Sequence, residues 1–248
     1  MENVYDSQTF FEQYQSMRSN SLNANELIEV PIMKTKLPNL KGKTILDLGC
    51  GAGDMDKYFA LHGAKYILAT DISENMIKIA KTVNFDEKID YKVLKMEDLS
   101  KLSGKFDIVY SSLAFHYIED LNKLFCDIYD RLDDNGELIF SIESPINMCT
   151  CKRHKDDVRK IEKDGTFYLL FNGYGKEGKR DIYWNDTFVT MYHRTYASIV
   201  NSLINAGFRL LDIEDSYATD EAMAKVPKYK TQEDRPYFTF FRAIKDKI

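Results

Sequence analysis

The chain has 248 residues, 44% hydrophobic and 29% charged, a balance that suits one sizeable α/β domain and needs no disulfide or structural metal to stabilise it. The net charge of −5 argues against a nucleic-acid partner, because a phosphate-tracking surface carries a basic surplus. The densest basic run, Cys151–Lys160 (CKRHKDDVRK), is interleaved with Asp156 and Asp157 and reads as a solvated helix face.

The four cysteines, Cys50, Cys126, Cys149 and Cys151, form no paired framework, and Cys149, Cys151 and His154 lack the fourth ligand of a zinc site. No apolar leader and no long apolar span appears, so the expectation is a cytoplasmic protein with reduced thiols and no membrane partner.

Residues 8–18 place Phe10, Phe11, Tyr14 and Met17 on one helical face. Leu22–Leu37 reads as a second helix, ended by Pro38. Strands are expected at Thr44–Asp47, Tyr66–Asp71, Tyr91–Lys95, Phe106–Ser111 and Glu137–Ile142, the last entered through the turn Asp133–Gly136 (DDNG). Helices are expected between them at Asp54–His62, Ser73–Thr82 with Ser73 as N-cap, and Leu121–Leu132. This alternation implies a parallel sheet with right-handed crossovers. From Ser144 to about Thr190 the pattern dissolves into loops rich in Gly, Lys and aromatics, an insertion after strand five. Order returns with a helix at Tyr196–Ala206 closed by Gly207, a strand at Phe208–Glu214, an irregular excursion and a strand at Tyr237–Ile244, the last two strands forming a hairpin-like pair at one sheet edge.

The stretch DLGCGAG carries Gly49, Gly51 and Gly53, with Asp47 two residues ahead of the first. Glycines permit a sharp strand-to-helix bend and close approach of a ligand to the backbone. A nicotinamide turn is G-x-G-x-x-G with its helix N-terminus facing a pyrophosphate; here the spacing is G-x-G-x-G and an acid precedes it. A carboxylate beside a pyrophosphate is poorly placed, but it accepts a hydrogen bond from an ammonium group well. The ligand is then adenosine-like with an amino-acid tail, which S-adenosylmethionine satisfies. Asp71 closes the second strand where an acid commonly takes both ribose hydroxyls.

These stretches, ILDLGCGAG and ATDISENMIKIAK, together with FDIVYSSLAFHYIEDL, LDDNGELIFSIESP, YHRTYASIVNSLINAGF and RPYFTFFRA, resemble class I S-adenosylmethionine-dependent methyltransferases of the bacterial small-molecule branch. The resemblance implies a Rossmann-like α/β fold. Its seven-stranded, mostly parallel sheet has the last strand antiparallel and helices on both faces, with an N-terminal helical lid and an insertion after strand five. Residues 1–248 then form a single methyltransferase domain: lid 1–40, cofactor-binding core 41–144, substrate-pocket insertion 145–195, and C-terminal helix and strand pair 196–248.

The resemblance also implies site roles. Asp47, Gly49 and Gly51 line the methionine part, Asp71 holds the ribose, Ile72 packs on adenine, and the Ser111 backbone meets the ammonium. Lys95 stands where the family commonly has the adenine-reading acid, so Glu97 with the Met96 backbone takes that role, with loop charge alone as the alternative. Cys50 and Met76 complete the core set. In the lid, Tyr14 and Arg18 share one helical face, and Arg18 would pair with the methionine carboxylate; an ordinary surface role is its alternative.

Methyl transfer from a sulfonium is an in-line displacement that needs positioning, and a base only where the acceptor atom carries a proton. The catalytic candidates are His116, just beyond the fourth strand, and His193 in MYHRTY, each with a purely structural alternative. His62 suits a helix end and His154 the charged run. Aromatics of the insertion suit a planar or apolar acceptor, with Tyr183 and Trp184 as pocket lining. The expected activity is methyl transfer to a small-molecule acceptor with S-adenosylhomocysteine as product, by a monomer or homodimer without metal. An aminopropyltransferase-like enzyme, a nicotinamide oxidoreductase and a non-catalytic S-adenosylmethionine-binding regulator are the rivals.

Overall fold

A computed structural model of the chain describes residues 21–149, 160–184 and 187–247. The expected helix at 8–18, with Tyr14 and Arg18, lies outside the described residues, as do Cys151 and His154. Seven strands form one sheet in the order β10-β11-β5-β4-β1-β2-β3. They are β1 (Thr44–Leu48), β2 (Tyr66–Asp71), β3 (Ile89–Val93), β4 (Phe106–Ser111), β5 (Leu132–Glu143), β10 (Arg209–Asp215) and β11 (Phe238–Ile244). The pairs β1–β2, β2–β3, β1–β4 and β4–β5 are parallel, and β11 runs antiparallel between β5 and β10. The last strand is thus inserted beside β5, with β10 outermost.

Alternation along each strand explains why helices cover both faces. Leu46, Leu48, Val109, Leu138 and Phe140 face one core, packed with Leu124, Phe125 and Ile128 of the helix Leu121–Arg131 and Ile199 and Leu203 of the helix Tyr196–Asn205. Ile45, Ile67, Ile108, Tyr110 and Ile139 face the other, packed with Ile32 and Met33, with Phe59 and Ala60 of the helix Asp54–Leu61, and with Ile77 and Ala80 of the helix Glu74–Val83. Phe140 and Phe241 stack with centroids 4.7 Å apart, tying β11 to β5 inside the first core.

Three segments depart from the sequence expectation. The helix at Leu22–Leu37 is instead a π turn, Asn25–Glu29, running into an α-helix, Val30–Lys36. Pro31 has no N–H to give Leu27, so the preceding turn widens and Val30 donates back to Asn25. The DDNG turn is absorbed as a bulged start of β5, with Asn135 in the left-handed region and paired to Lys245. The insertion is more regular than a run of loops: a short helix (Pro145–Met148), then two antiparallel hairpins, β6–β7 (Lys160–Lys163, Thr166–Leu169) and β8–β9 (Gly178–Trp184, Thr187–His193). The excursion before β11 likewise holds a helix, Asp220–Lys225, and a 3-10 turn, Pro227–Glu233.

The π turn delivers a buried acid to the sheet. Glu29 Oε1 accepts from Ser112 Oγ at 2.8 Å and Ser141 Oγ at 2.5 Å, and Ser141 Oγ in turn accepts from the Leu113 N–H at 3.0 Å. Leu113 has φ +50, an uncommon state for a leucine, and this network holds it at the end of β4. Glu29→Ala leaves two hydroxyls without their acceptor inside the protein. It should lower unfolding free energy by about 1–3 kcal/mol in urea titration, whereas Glu29→Gln, which keeps an acceptor oxygen, should recover most of the loss.

Candidate active site

In an open sheet of this kind ligands lie beyond the carboxyl ends of the strands where the order reverses, here between β1 and β4. The turn after β1 is built for close approach. Gly49 has φ +82, and a Cβ on it would lie 2.7 Å from Ala114 Cβ and 2.9 Å from Met96 Cε. Gly51 has φ +55 and nothing within 4 Å of where its Cβ would be. The first glycine is required by packing, while the middle one leaves open space above its backbone.

Beneath the turn sit two buried acids. Asp47 is 2% exposed and Asp56, in the first turn of the helix Asp54–Leu61, is fully buried; the two carboxyls meet each other, and among the described residues Asp47 Oδ1 and both Asp56 oxygens meet no other hydrogen-bonding group. Burial, with Asp56, Asp71 and Glu29 nearby, holds the Asp47 carboxyl well above the usual carboxylate range. Burial lifts Asp56 from 3.8 to about 7. The same acids and its own burial push the Cys50 thiol up, so Cys50 is no nucleophile. Sequence reasoning missed Asp56: at two residues from Asp54 it looks like a second N-terminal helix charge, but the two point to different faces and only Asp54 is exposed.

Asp71, at the end of β2, is already oriented. Its Oδ2 accepts from Gly51 N–H at 3.0 Å and its Oδ1 from Ser73 N–H at 2.8 Å. These two backbone N–H groups hold the carboxylate in one orientation at the strand end. Ile72 beside it is 37% exposed, an apolar surface offered at the crevice. Met76 is buried, its N–H capped by Ser73 Oγ. Met96 leans over Gly49 from the 3-10 turn Met96–Lys101. Glu97 is exposed on that turn, whereas Asp98 pairs with Lys101 at 2.8 Å. Ser111 is fully buried and donates to Leu48 O at 2.7 Å, locking the ends of β4 and β1 together.

The two histidines present opposite chemistry. His116 Nδ1 accepts from the Glu143 N–H at 3.2 Å, which places the proton of the neutral ring on Nε2 and makes the ring a donor. His193 is fully buried; its Nε2 stands 2.8 Å from Tyr174 O and donates to it, leaving the Nδ1 lone pair without a partner. Burial lowers the His193 pKa and so favours this neutral form. A cavity of about 10 Å³, room for one water, lies between Phe115, His116, Glu143, Pro145, Tyr192 and Arg194. Tyr183 is half-buried on the outer face of the β8–β9 hairpin, 5.3 Å from Phe188 ring to ring. Trp184 is the last residue of β8. The structure thus gathers Asp47, Gly49, Cys50, Gly51, Asp71, Ile72, Met96 and Ser111 around one crevice and sets His193 apart on the hairpin.

A family model described as a methyltransferase domain matches residues 46–140. A crystal structure of an S-adenosylmethionine-dependent methyltransferase from Mesorhizobium loti superposes with a TM-score of 0.77 at 33% identity, covering 90% of this chain and 98% of that one. An uncharacterized protein of Haemophilus influenzae is 40% identical over 250 residues, 98% of this chain and 96% of its own length. The ubiquinone biosynthesis O-methyltransferase of Coxiella burnetii is 32% identical over 104 residues, 41% of this chain and 44% of that protein.

The raised Asp56 pKa has a sign that can be checked. The folded state holds a proton that the unfolded chain has already released, so the stabilising contribution is complete below 3.8 and is lost as pH rises to about 7. Asp56→Asn, which cannot ionise, should gain on the wild type progressively between about pH 4 and 7, by up to roughly 4 kcal/mol, read from urea midpoints of the two proteins across that range.

Proposed function

The chain belongs to the S-adenosylmethionine-dependent methyltransferases, and on that footing we propose that it methylates a small-molecule acceptor held between the Gly51 crevice and the β8–β9 hairpin. The bound cofactor supplies an electrophilic methyl group on a sulfonium. The chain's own residues bind, orient and manage protons.

One observation carries the site assignment: a buried carboxyl with an unpartnered oxygen, Asp47, below a glycine with open space above it. An acid in that position is at odds with a phosphate and fits the ammonium of the methionine tail. The Ser111 backbone borders the same end of the crevice. Asp71 receives the two ribose hydroxyls while Gly51 and Ser73 hold it still. Ile72 lies under adenine, and Glu97 with the Met96 backbone reads the adenine edge. Cys50 and Met76 shape the walls as neutral groups. Tyr14 and Arg18 are assigned to closing the crevice, with Arg18 on the methionine carboxylate.

The acceptor side is divided between the histidines. His116, as a donor fixed by Glu143, holds an acceptor oxygen by hydrogen bonding. His193 Nδ1 takes a proton where the acceptor atom carries one. A small molecule suits the acidic overall balance better than a nucleic acid does. Tyr183 and Trp184 are assigned to the outer rim of the pocket.

Isothermal titration with S-adenosylhomocysteine tests the assignment. Asp71→Ala should weaken binding by roughly 10–100-fold, the loss expected for charge-assisted hydrogen bonds; unchanged affinity removes Asp71 from the site. Because Asp47 must be ionised to meet an ammonium, and burial holds its carboxyl well above the usual carboxylate range, binding should release a proton and tighten as pH rises above neutrality. Titrations in buffers of different ionisation heat count that proton, and none released contradicts the Asp47 role. Turnover is tested by S-adenosylhomocysteine release across a metabolite library; binding without release for any acceptor favours a regulator.

A further inference from the structure

The β8–β9 hairpin carries a buried positive charge that has no counter-charge among the described residues. Arg180 is 9% exposed, and among the described residues its guanidinium meets main-chain carbonyls of its own hairpin arm, Lys179 O at 3.1 Å and Lys176 O, while its Nε is buried without a partner. Among the described residues no Asp or Glu forms an ion pair with it, whereas Arg242 holds Glu137 and Arg209 holds Asp246 through two nitrogens each. An arginine desolvated in this way costs stability unless an anion joins it.

Its neighbour supplies the second half. The register Gly178↔His193 and Arg180↔Met191 puts Arg180 and His193 diagonally on one face, with Ile182, Val189 and Met191. The apolar residues of that face pack on Met148 and Tyr117, which follow β5 and β4. This is the strand-end region where an acceptor would face the cofactor crevice. The other charged groups near His193 are engaged: Glu177 Oε1 accepts from the Thr195 N–H and Oγ1, each at 2.7 Å, and Arg194 donates to Ile118 O and Glu119 O. Two buried nitrogens of opposite capacity therefore remain, the Arg180 guanidinium as cationic donor and His193 Nδ1 as acceptor.

We propose that Arg180 and His193 form the recognition site for an acceptor that is a carboxylate bearing a nearby hydroxyl or amine. Arg180 pairs with the carboxylate, and His193 Nδ1 receives the O–H or N–H. One guanidinium beside a neutral imidazole offers one positive charge, which matches a monoanionic carboxylate better than a dianionic phosphate. The proposal rests on the methyltransferase reading, which fails separately if the wild type does not bind S-adenosylhomocysteine.

The test uses protein saturated with S-adenosylhomocysteine and titrates mandelate and salicylate, each against its amide. At least one of the two acids should bind roughly tenfold tighter than its amide, and Arg180→Gln should abolish that preference while keeping S-adenosylhomocysteine affinity unchanged. Ligand-free Arg180→Gln should melt no lower than the wild type, since it removes an uncompensated charge. Equal binding of acids and amides by the wild type overturns the proposal. So does a preference that survives Arg180→Gln, or a melting point several degrees lower in the empty variant, which marks Arg180 as structural.

Discussion

Two carboxyls buried side by side beneath a glycine turn, Asp47 and Asp56, set the terms for the crevice. Neither has a countercharge among the described residues, and neither can ionise cheaply while the other is charged. Burial therefore favours the protonated form of the pair, and ionising it calls for a positive charge close by. On the proposed reading a cationic amino-acid tail meets that demand, an ammonium taking the place of the proton. A diphosphate would add negative charge to the same place. Ligand choice in this fold is thus made by the charge state under the turn more than by the turn's shape, which dinucleotide-binding proteins share.

The supporting structure works to keep that arrangement rigid. Asp71 is held by two backbone N–H groups before any ligand arrives, and Ser111 ties β4 to β1 at the crevice floor. Glu29 reaches in from the N-terminal side to hold Ser112, Ser141 and through them Leu113. Leu113 in the left-handed region carries strain of order 1 kcal/mol, offset by that network, and it sits between the cofactor crevice and the 3-10 turn that bears His116. The segment Asn25–Lys36 is also anchored by Lys36 to Asp212 and Glu214, so its described part is a fixed support for the crevice.

Much of this was legible in the sequence, for identifiable reasons. Apolar runs of strand length separated by amphipathic helices report the parallel core, and Asp47, Gly49, Gly51 and Asp71 lie in local order along one strand–helix–strand unit. What stayed hidden depends on contacts far apart in the chain. Glu29 is 112 residues from Ser141, and no local pattern distinguishes it from a surface acid. Asp56 is masked by its neighbour Asp54. The hairpins of the insertion were read as loops because their exposed faces carry Lys179, Asp181 and Thr190, polar residues that dilute the alternation of Ile182, Val189 and Met191.

The histidines show why residue type and position stop short of mechanism. His116 lies in the motif and His193 outside it, which favours His116 as a base. Hydrogen bonding reverses the order: a ring whose Nδ1 already accepts a backbone N–H offers only a proton, while a ring whose Nε2 is spent on a carbonyl offers a lone pair. The ring with an unpartnered acceptor nitrogen therefore sits on the insertion, the part of the chain that the family resemblance constrains least. On the proposed reading the methyl donor is held at the sheet, while the hairpin, with Arg180 and His193, selects the acceptor.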